Sequence, residues 1–180
     1  MIVDYAIYRD GKRAAEPREL TRLDAACRGG GGIAWVGLYR PTEDEFDAVR
    51  REFGLHELAV EDAVHAHQRP KIELFDGSLF VVLKTARYID RDELVEIGEV
   101  MAFVGPRFVV TVRHGEASPL HEVRLDLEAH PDLLGIGPSS VLYAIADRVV
   151  DDYAIVIEGL AVDIEAVSYT HLTLPTILLV

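Results

Sequence analysis

Pairs of carboxylates on predicted helices are the residues of this chain best suited to chemistry. Glu61 and Asp62 are adjacent near the middle of one helix, and Asp147 and Asp151 lie one turn apart on another. Hard divalent cations prefer carboxylate oxygens and keep several of their waters, so they need no cage of nitrogen or sulfur ligands. A few carboxylates that meet across a subunit boundary would satisfy such a cation. Acidic stripes are more often solvated helix faces, so spacing alone leaves both interpretations open.

The other polar motifs fit known chemistry less well. His65 and His67 are two residues apart, so a helix points them to different faces, unlike the i, i+4 histidines of a zinc protease helix. The run Gly29–Gly32 lacks the Gly-Lys-Ser/Thr that completes a phosphate-binding loop. No His–Asp arrangement supports a nucleophile at Ser139–Ser140. The sequence therefore predicts no catalytic residue, although a soluble metal-dependent enzyme that uses Glu61, Asp62 and Asp147 stays an alternative.

The charge balance limits the classes of partner. The chain has 18 basic and 31 acidic residues, a net charge of −13 and a pI near 4.9. Such a surface repels phosphate backbones and attracts cations, so nucleic acid is not an expected partner. Cys27 is the only cysteine, which excludes an internal disulfide and a multi-cysteine zinc site. No apolar run approaches the roughly 20 residues that a membrane-spanning helix needs.

Apolar and alternating runs predict the sheet that must position these residues. Asp10-Gly11 and Asp76-Gly77 are turn signals, and the second stands between two strand-like runs, as in a β-hairpin. The run Ile33–Tyr39 is apolar throughout, which is typical of a strand buried on both faces. The predicted strands are Ile2–Tyr8, Ile33–Tyr39, Lys71–Phe75, Leu79–Tyr88, Glu96–Val104 and Phe108–Arg113.

Helical periodicity alternates with these strands. Thr42 and Glu45 have the spacing of a capping box, and Phe46, Val49 and Phe53 recur on one face of the helix that follows. Further helices are predicted over Glu19–Cys27, Glu57–His67 and Pro119–Ala129. The sequence thus predicts an α/β fold, in which an α/β/α layered domain has a central mixed sheet.

The last element is a long amphipathic helix, predicted from Ser139 to Glu165 and interrupted only by Gly159. Its apolar residues recur at spacings of three and four, which predicts a coiled-coil-like seam: Leu142, Ile145, Val149, Tyr153, Val156, Leu160 and Ile164. The string VSYTHLTLPT that follows resembles the translation of a sequencing-library adapter. We therefore predict a domain over residues 1–137, the start of a stalk helix over 138–167, and a non-native tail over 168–180, with the native protein continuing beyond.

Several stretches in order resemble one protein family. HELAVEDAVHAHQRPKIE followed by LFVVLKTARY resembles the cytoplasmic domain of the CorA family of magnesium and cobalt transport proteins, and VLYAIADRVVDDYAIVIEGLAVDIE resembles the start of its stalk helix. With GGIAWVGLYRPTEDEF, the resemblance covers essentially residues 1 to 166. It implies a regulatory domain whose full-length protein forms a homopentamer in the inner (plasma) membrane, this part being cytoplasmic and the transmembrane helices lying outside the chain.

The resemblance also assigns roles to residues. It implies that Asp62, in the VED triplet, is a ligand of a regulatory divalent cation between adjacent subunits, and that Glu61 and Asp147 belong to the same cluster. The expected cation is Mg²⁺, with Co²⁺ also possible, and its expected effect is to hold the pore shut. The alternatives are a zinc-transporting relative of the same architecture, the metal-dependent enzyme, and a self-associating acidic scaffold built on the long helix.

Overall fold

A seven-stranded mixed sheet forms the centre of the computed structural model, which describes residues 1–15 and 19–172, with side chains as far as residue 167. The strand order is β2-β1-β3-β7-β6-β5-β4; β3 and β7 are parallel and every other neighbouring pair is antiparallel. The predicted mixed sheet is confirmed. The strands are β1 Ile2–Arg9, β2 Lys12–Arg13, β3 Ile33–Tyr39, β4 Lys71–Phe75, β5 Ser78–Ile89, β6 Leu94–Val104 and β7 Phe108–His114.

Helices cover both faces of this sheet. The first three helices pack on the face that carries Val36 and Val110, whereas the last three pack on the face that carries Trp35 and Val109. Successive strand residues point to opposite faces, so Trp35 and Val36 belong to separate cores. The helices are α1 Leu23–Gly30, α2 Glu43–Phe53, α3 Glu57–His65, α4 Leu120–Ala129, α5 Pro131–Leu134 and α6 Pro138–Leu172.

Helix α2 begins with the predicted capping box. The Thr42 hydroxyl accepts a hydrogen bond from the Glu45 backbone N–H at 3.3 Å, and the Thr42 N–H donates to the Glu45 carboxylate at 3.0 Å. Phe46, Val49 and Phe53 are buried as predicted. The chain then leaves the helix through Gly54, whose φ of 63° lies in the left-handed region that glycine tolerates.

We expect Thr42→Ala to lower the free energy of unfolding by about 1 kcal/mol, because it leaves the backbone N–H of Glu45 without its acceptor. Urea unfolding followed by circular dichroism measures the change. Thr42→Ser keeps the hydroxyl and is the matched control. Equal midpoints for the two variants would show that the capping box does not stabilise α2.

Two predicted helix boundaries are wrong. Helix α3 ends at His65 rather than His67, because Ala66 and His67 both have positive φ angles, 56° and 58°. The chain therefore leaves α3 four residues before Pro70, although the residue that proline disfavours in a helix is the one directly before it. The first helix begins at Leu23 rather than Glu19, after a short 3₁₀ turn over Leu20–Arg22, and it continues to Gly30.

The long helix extends beyond its predicted limits. Helix α6 runs from Pro138 to Leu172, so it continues past Glu165 and past the predicted boundary at Ser168. Residues 173–180 of the predicted tail lie outside the described residues, and its non-native origin stays a prediction. Within residues 1–15 and 19–172, no helix is long and apolar enough to cross a membrane.

The apolar seam of α6 changes its surroundings along the helix. Ile145, Val149 and Val156 are buried against the sheet, whereas Leu160 is 41% and Ile164 69% exposed. The first half of the seam is therefore a helix-on-sheet contact instead of the predicted coiled-coil contact. In the second half the apolar residues of the seam are largely uncovered.

Candidate metal-binding carboxylates

Asp62 already has a cationic partner within the chain. Its Oδ2 lies 2.7 Å from Nζ of Lys71 on β4, and the same Nζ lies 2.7 Å from Oε2 of Glu73. The hydrogen bond to Asp62, followed by the one to Glu73, raises the pKa of Lys71. Lys71 therefore links β4 to the acidic helix α3 inside the chain. A metal ion at Asp62 would have to share its carboxylate with Lys71 or displace the ammonium group.

Glu61 points away from that pair. It is exposed and lines a groove of about 440 Å³ between α2 and α3. In this groove Asp47 is held by Arg50 at 2.6 Å and by Arg51, and its hydrogen bond to Arg50 lowers the pKa of Asp47. The groove is acidic overall, because five carboxylates line it with one guanidinium group, that of Arg50: Glu43, Asp44, Asp47, Glu57 and Glu61.

Asp147 lies on the other side of the sheet. It is exposed on α6 and lines a second groove with Asp126 and Asp151. Between them, Arg148 binds Asp152 at 2.8 Å and Glu122 of α4 at 2.6 Å. The pair with Glu122 links α6 to α4, whereas the pair with Asp152 lies within α6. Asp147 faces solvent without an ion pair among the described residues.

One chain does not bring the three predicted ligands together. Glu61 and Asp62 lie in the α1–α3 layer and Asp147 in the α4–α6 layer, so the sheet separates them. Among residues 1–15 and 19–167, no group of three His, Cys, Asp or Glu side chains is placed to hold a metal ion. Mg²⁺ commonly uses only one or two carboxylates and keeps its waters. A site that used all three carboxylates would therefore have to join two copies of the chain.

Two buried charged groups were missed by sequence reasoning. Glu99 is 4% exposed; its carboxylate binds the ammonium group of Lys84 and accepts the Gln68 N–H at 3.3 Å. Arg124 is 8% exposed and binds Asp4. A charged residue inside an apolar strand, GEVMAFV, was the signal available for Glu99. For Arg124, the corresponding signal was a charged residue on the apolar face of a helix, between Leu120 and Leu127.

A family model described as a CorA-like Mg²⁺ transporter protein matches residues 30–173. Among curated proteins, the chain is 39% identical over 119 residues to the putative metal ion transporter YfjQ of Bacillus subtilis, covering 66% of this chain and 36% of that protein. It is 27% identical over 145 residues to the cobalt/magnesium transport protein CorA of Thermotoga maritima, covering 78% and 41%. The chain thus spans well under half of the length of either relative.

Solved structures share the fold. The full-length CmaX protein superposes with a TM-score of 0.72 at 22% identity, over 93% of this chain and 50% of that one. The soluble domain of CorA from Methanocaldococcus jannaschii has a TM-score of 0.64 at 14% identity, over 78% and 56%. The ZntB cytoplasmic domain from Vibrio parahaemolyticus has a TM-score of 0.54 at 13% identity, over 70% and 51%. At these identities the likeness concerns the fold alone.

Proposed function

The chain belongs to the CorA family, and from this membership we propose that its folded part is the domain through which a membrane transporter senses divalent cations. The observation that supports this most directly is that the family match, residues 30–173, covers the α/β/α domain from β3 onward together with the long helix into which it runs. In this proposal the domain lies on the cytoplasmic side of the inner (plasma) membrane. The transporter relatives also support a non-enzyme function.

The exposed carboxylates on both helical layers suggest how sensing would work. In a ring of five copies, Glu61 and Asp62 of one copy would face Asp147 of the next, completing the shell that one chain leaves open. A bound Mg²⁺ supplies the positive charge that offsets repulsion between copies of net charge −13. At a concentration equal to the dissociation constant, one site stabilises the bound state by ~0.4 kcal/mol, and five sites by roughly 2 kcal/mol. Weak sites would therefore bias a ring toward a closed state.

Oxygen donors favour Mg²⁺ over Zn²⁺ as the regulatory ion. The three proposed ligands are carboxylates, which suit hard cations, whereas zinc sites usually include histidine or cysteine. The likeness to the ZntB fold keeps a zinc-transporting relative as the second candidate. The enzyme alternative is disfavoured because Glu61 and Asp147 lie on open surfaces rather than around one enclosed pocket.

We expect Asp62→Asn and Asp147→Asn each to raise the Mg²⁺ concentration needed for closure about tenfold, the loss expected for one charge-assisted ligand. The measurement is protection of the full-length transporter from a protease in membrane vesicles, titrated with Mg²⁺. Co²⁺ and Zn²⁺ titrations run in parallel identify the preferred ion.

Asp76→Asn, in the exposed turn of the β4–β5 hairpin, is the matched control and should leave the Mg²⁺ midpoint unchanged. If the two test variants also kept the wild-type midpoint, the ligand assignment would be wrong. A full-length assembly that stays intact and equally protected after chelation of Mg²⁺ would favour the acidic scaffold instead of the sensor.

A further inference from the structure

A small pocket lies between the start of α4 and the strands β3 and β7, apart from the carboxylates described above. Its volume is about 140 Å³. Gly37 and Thr111, which are direct neighbours in the parallel pair β3–β7, form its floor. The side chains of Trp35, Arg113, His121 and Arg124 surround it. The proposed sensing function uses none of these residues.

Arg124 has unused hydrogen-bond donors in this pocket. Its Nη1 donates to Asp4 Oδ2 at 3.1 Å and to the Tyr8 hydroxyl at 3.2 Å, and its Nη2 donates weakly to the Trp35 carbonyl at 3.4 Å. A guanidinium group carries five N–H donors. At least two of them, including the one on Nε, have no acceptor among the described residues. A planar guanidinium with free donors matches the geometry of a carboxylate or phosphate group.

The charges around the pocket favour an anion. Among the residues that line the pocket, the guanidinium groups of Arg113 and Arg124 outnumber the carboxylate of Asp4, and Arg113 also pairs with Glu116 at 3.5 Å outside the lining. The Asp4 carboxylate is already shared, since its Oδ1 binds Arg13 at 2.7 Å and its Oδ2 binds Arg124. Helix α4 begins beside the pocket at Leu120 without a side-chain cap, so the positive end of its dipole adds to the same field.

Gly37 keeps the space in front of the guanidinium group open. A Cβ atom at this position would lie 3.7 Å from Arg124 Nη2, 3.8 Å from Thr111 Oγ1 and 3.6 Å from the Asp4 carbonyl oxygen. These are ordinary contact distances, so the fold would accept an alanine here. The added methyl group would nevertheless occupy the volume that an acceptor on Arg124 needs.

We propose that this pocket binds a small oxyanion, a carboxylate or phosphate group of a free small molecule, through the unused donors of Arg124. The volume lies well below the roughly 300 Å³ at which pockets for drug-sized ligands begin, so the ligand is an ion of a few heavy atoms rather than a nucleotide. The domain therefore binds an anion in this pocket in addition to the cation that we propose as its effector.

Trp35 provides the readout, because it is the only tryptophan in the chain. The centroid of its ring lies 4.2 Å from the Arg124 guanidinium carbon, and its Nε1–H donates to Thr111 Oγ1 at 3.3 Å. The experiment titrates the 180-residue protein with sodium phosphate and, separately, sodium acetate, at an ionic strength held constant with sodium chloride. We expect a saturable change in Trp35 emission, and the tighter of the two anions identifies the oxyanion class.

Gly37→Ala should weaken this binding at least tenfold, the loss expected for one charge-assisted hydrogen bond. Gly29→Ala is the matched control, because a Cβ at Gly29 meets open space. Arg124→Lys keeps the charge but removes the planar donors, and it should weaken binding to a similar extent; Arg51→Lys, at an exposed arginine, should not.

Gly37→Ala decides the question if Arg124→Lys does not fold. The proposal is overturned if neither anion gives a saturable response, or if Gly37→Ala binds as tightly as Gly29→Ala. It is also overturned if sodium chloride alone produces the same saturable change, because the pocket would then bind any anion and would not be selective for an oxyanion.

Discussion

We expect Lys84→Met to lower the free energy of unfolding by about 3 kcal/mol, because it leaves the Glu99 carboxylate buried without a countercharge. Lys84 and Glu99 are directly opposite each other on β5 and β6 and form an ion pair. The two sides of the pair are unequal, since the Glu99 side chain is 5% exposed and that of Lys84 is 32% exposed. Losing the lysine therefore costs far more than losing the glutamate. Chemical denaturation of each variant, with the slope checked for constancy, measures the difference.

A double-mutant cycle separates the buried charge from the lost packing. Glu99→Gln leaves Lys84 able to reach water and keeps an acceptor for the Gln68 N–H, so it should cost about 1 kcal/mol. Lys84→Met combined with Glu99→Gln should be more stable than Lys84→Met alone. The neighbouring cross-strand pair Arg87–Glu96 is the matched control: it is exposed, and Arg87→Met should cost less than about 1 kcal/mol. Equal losses for Lys84→Met and Arg87→Met would contradict the argument.

The sequence predicts most of the sheet because its strands are marked locally. Asp76-Gly77 fixes the β4–β5 hairpin, since both residues have positive φ angles, 47° and 83°, which suit Asp-Gly best. Thr42 and Glu45 mark the start of α2, and Trp35 is in the core as its apolar neighbours indicate. These features depend on residues close together in the chain, which is why periodicity and turn chemistry find them.

The partners of the buried charges could not be predicted because they come from distant segments of the chain. Glu99 finds Lys84 only once β5 and β6 adopt their register, and it finds the Gln68 N–H only once the loop after α3 packs on β6. Arg124 needs Asp4, which is 120 residues away. Composition and helical spacing contain no information about either partner. The exposed second half of the α6 seam was missed for a related reason, because spacing does not tell where a helix leaves the sheet.

The candidate ligands were found by resemblance, and the structure adds what surrounds them. Lys71 holds Asp62 within the chain, whereas Asp147 lies in the opposite helical layer. The spacing of acidic residues predicts that they lie on helices. It cannot distinguish a metal ligand from one partner of an ion pair. The separation of Glu61 and Asp147 by the sheet requires that any site joining them lie between copies.

Two tyrosines attach the long helix to the β5 strand. The Tyr153 hydroxyl donates to the Lys84 carbonyl at 2.5 Å, and the Tyr88 hydroxyl donates to Asp163 Oδ2 at 2.8 Å. The bond to Asp163 raises the pKa of Tyr88 to about 12. This contact is therefore fully kept below pH 10, where a free tyrosine titrates, and is lost as the pH rises through 12. The Lys84 region thus contacts both the loop after α3 and the helix that leaves the domain.

Gly159 allows this attachment, although in the sequence it is only an interruption of the helical pattern. A Cβ at Gly159 would lie 2.6 to 2.8 Å from carbon atoms of the Tyr88 ring, which is closer than real contacts permit. The ring therefore lies directly on the helix backbone. Any larger residue must displace Tyr88 from Asp163 or lift α6 from β5.

We expect Gly159→Leu to lower the free energy of unfolding by about 2–3 kcal/mol through this overpacking. Hydrogen exchange over residues 150–167 should rise with it, because the second half of α6 loses its attachment while β5 and β6 stay protected. Ala154→Leu, at an exposed position of the same helix, is the matched control and should change stability by no more than about 0.5 kcal/mol. Adding Tyr88→Ala to Gly159→Leu should recover part of the loss, because the leucine then fills the space of the ring. If Gly159→Leu exchanged as slowly as the control, the close contact with Tyr88 would not be what holds this helix on the sheet.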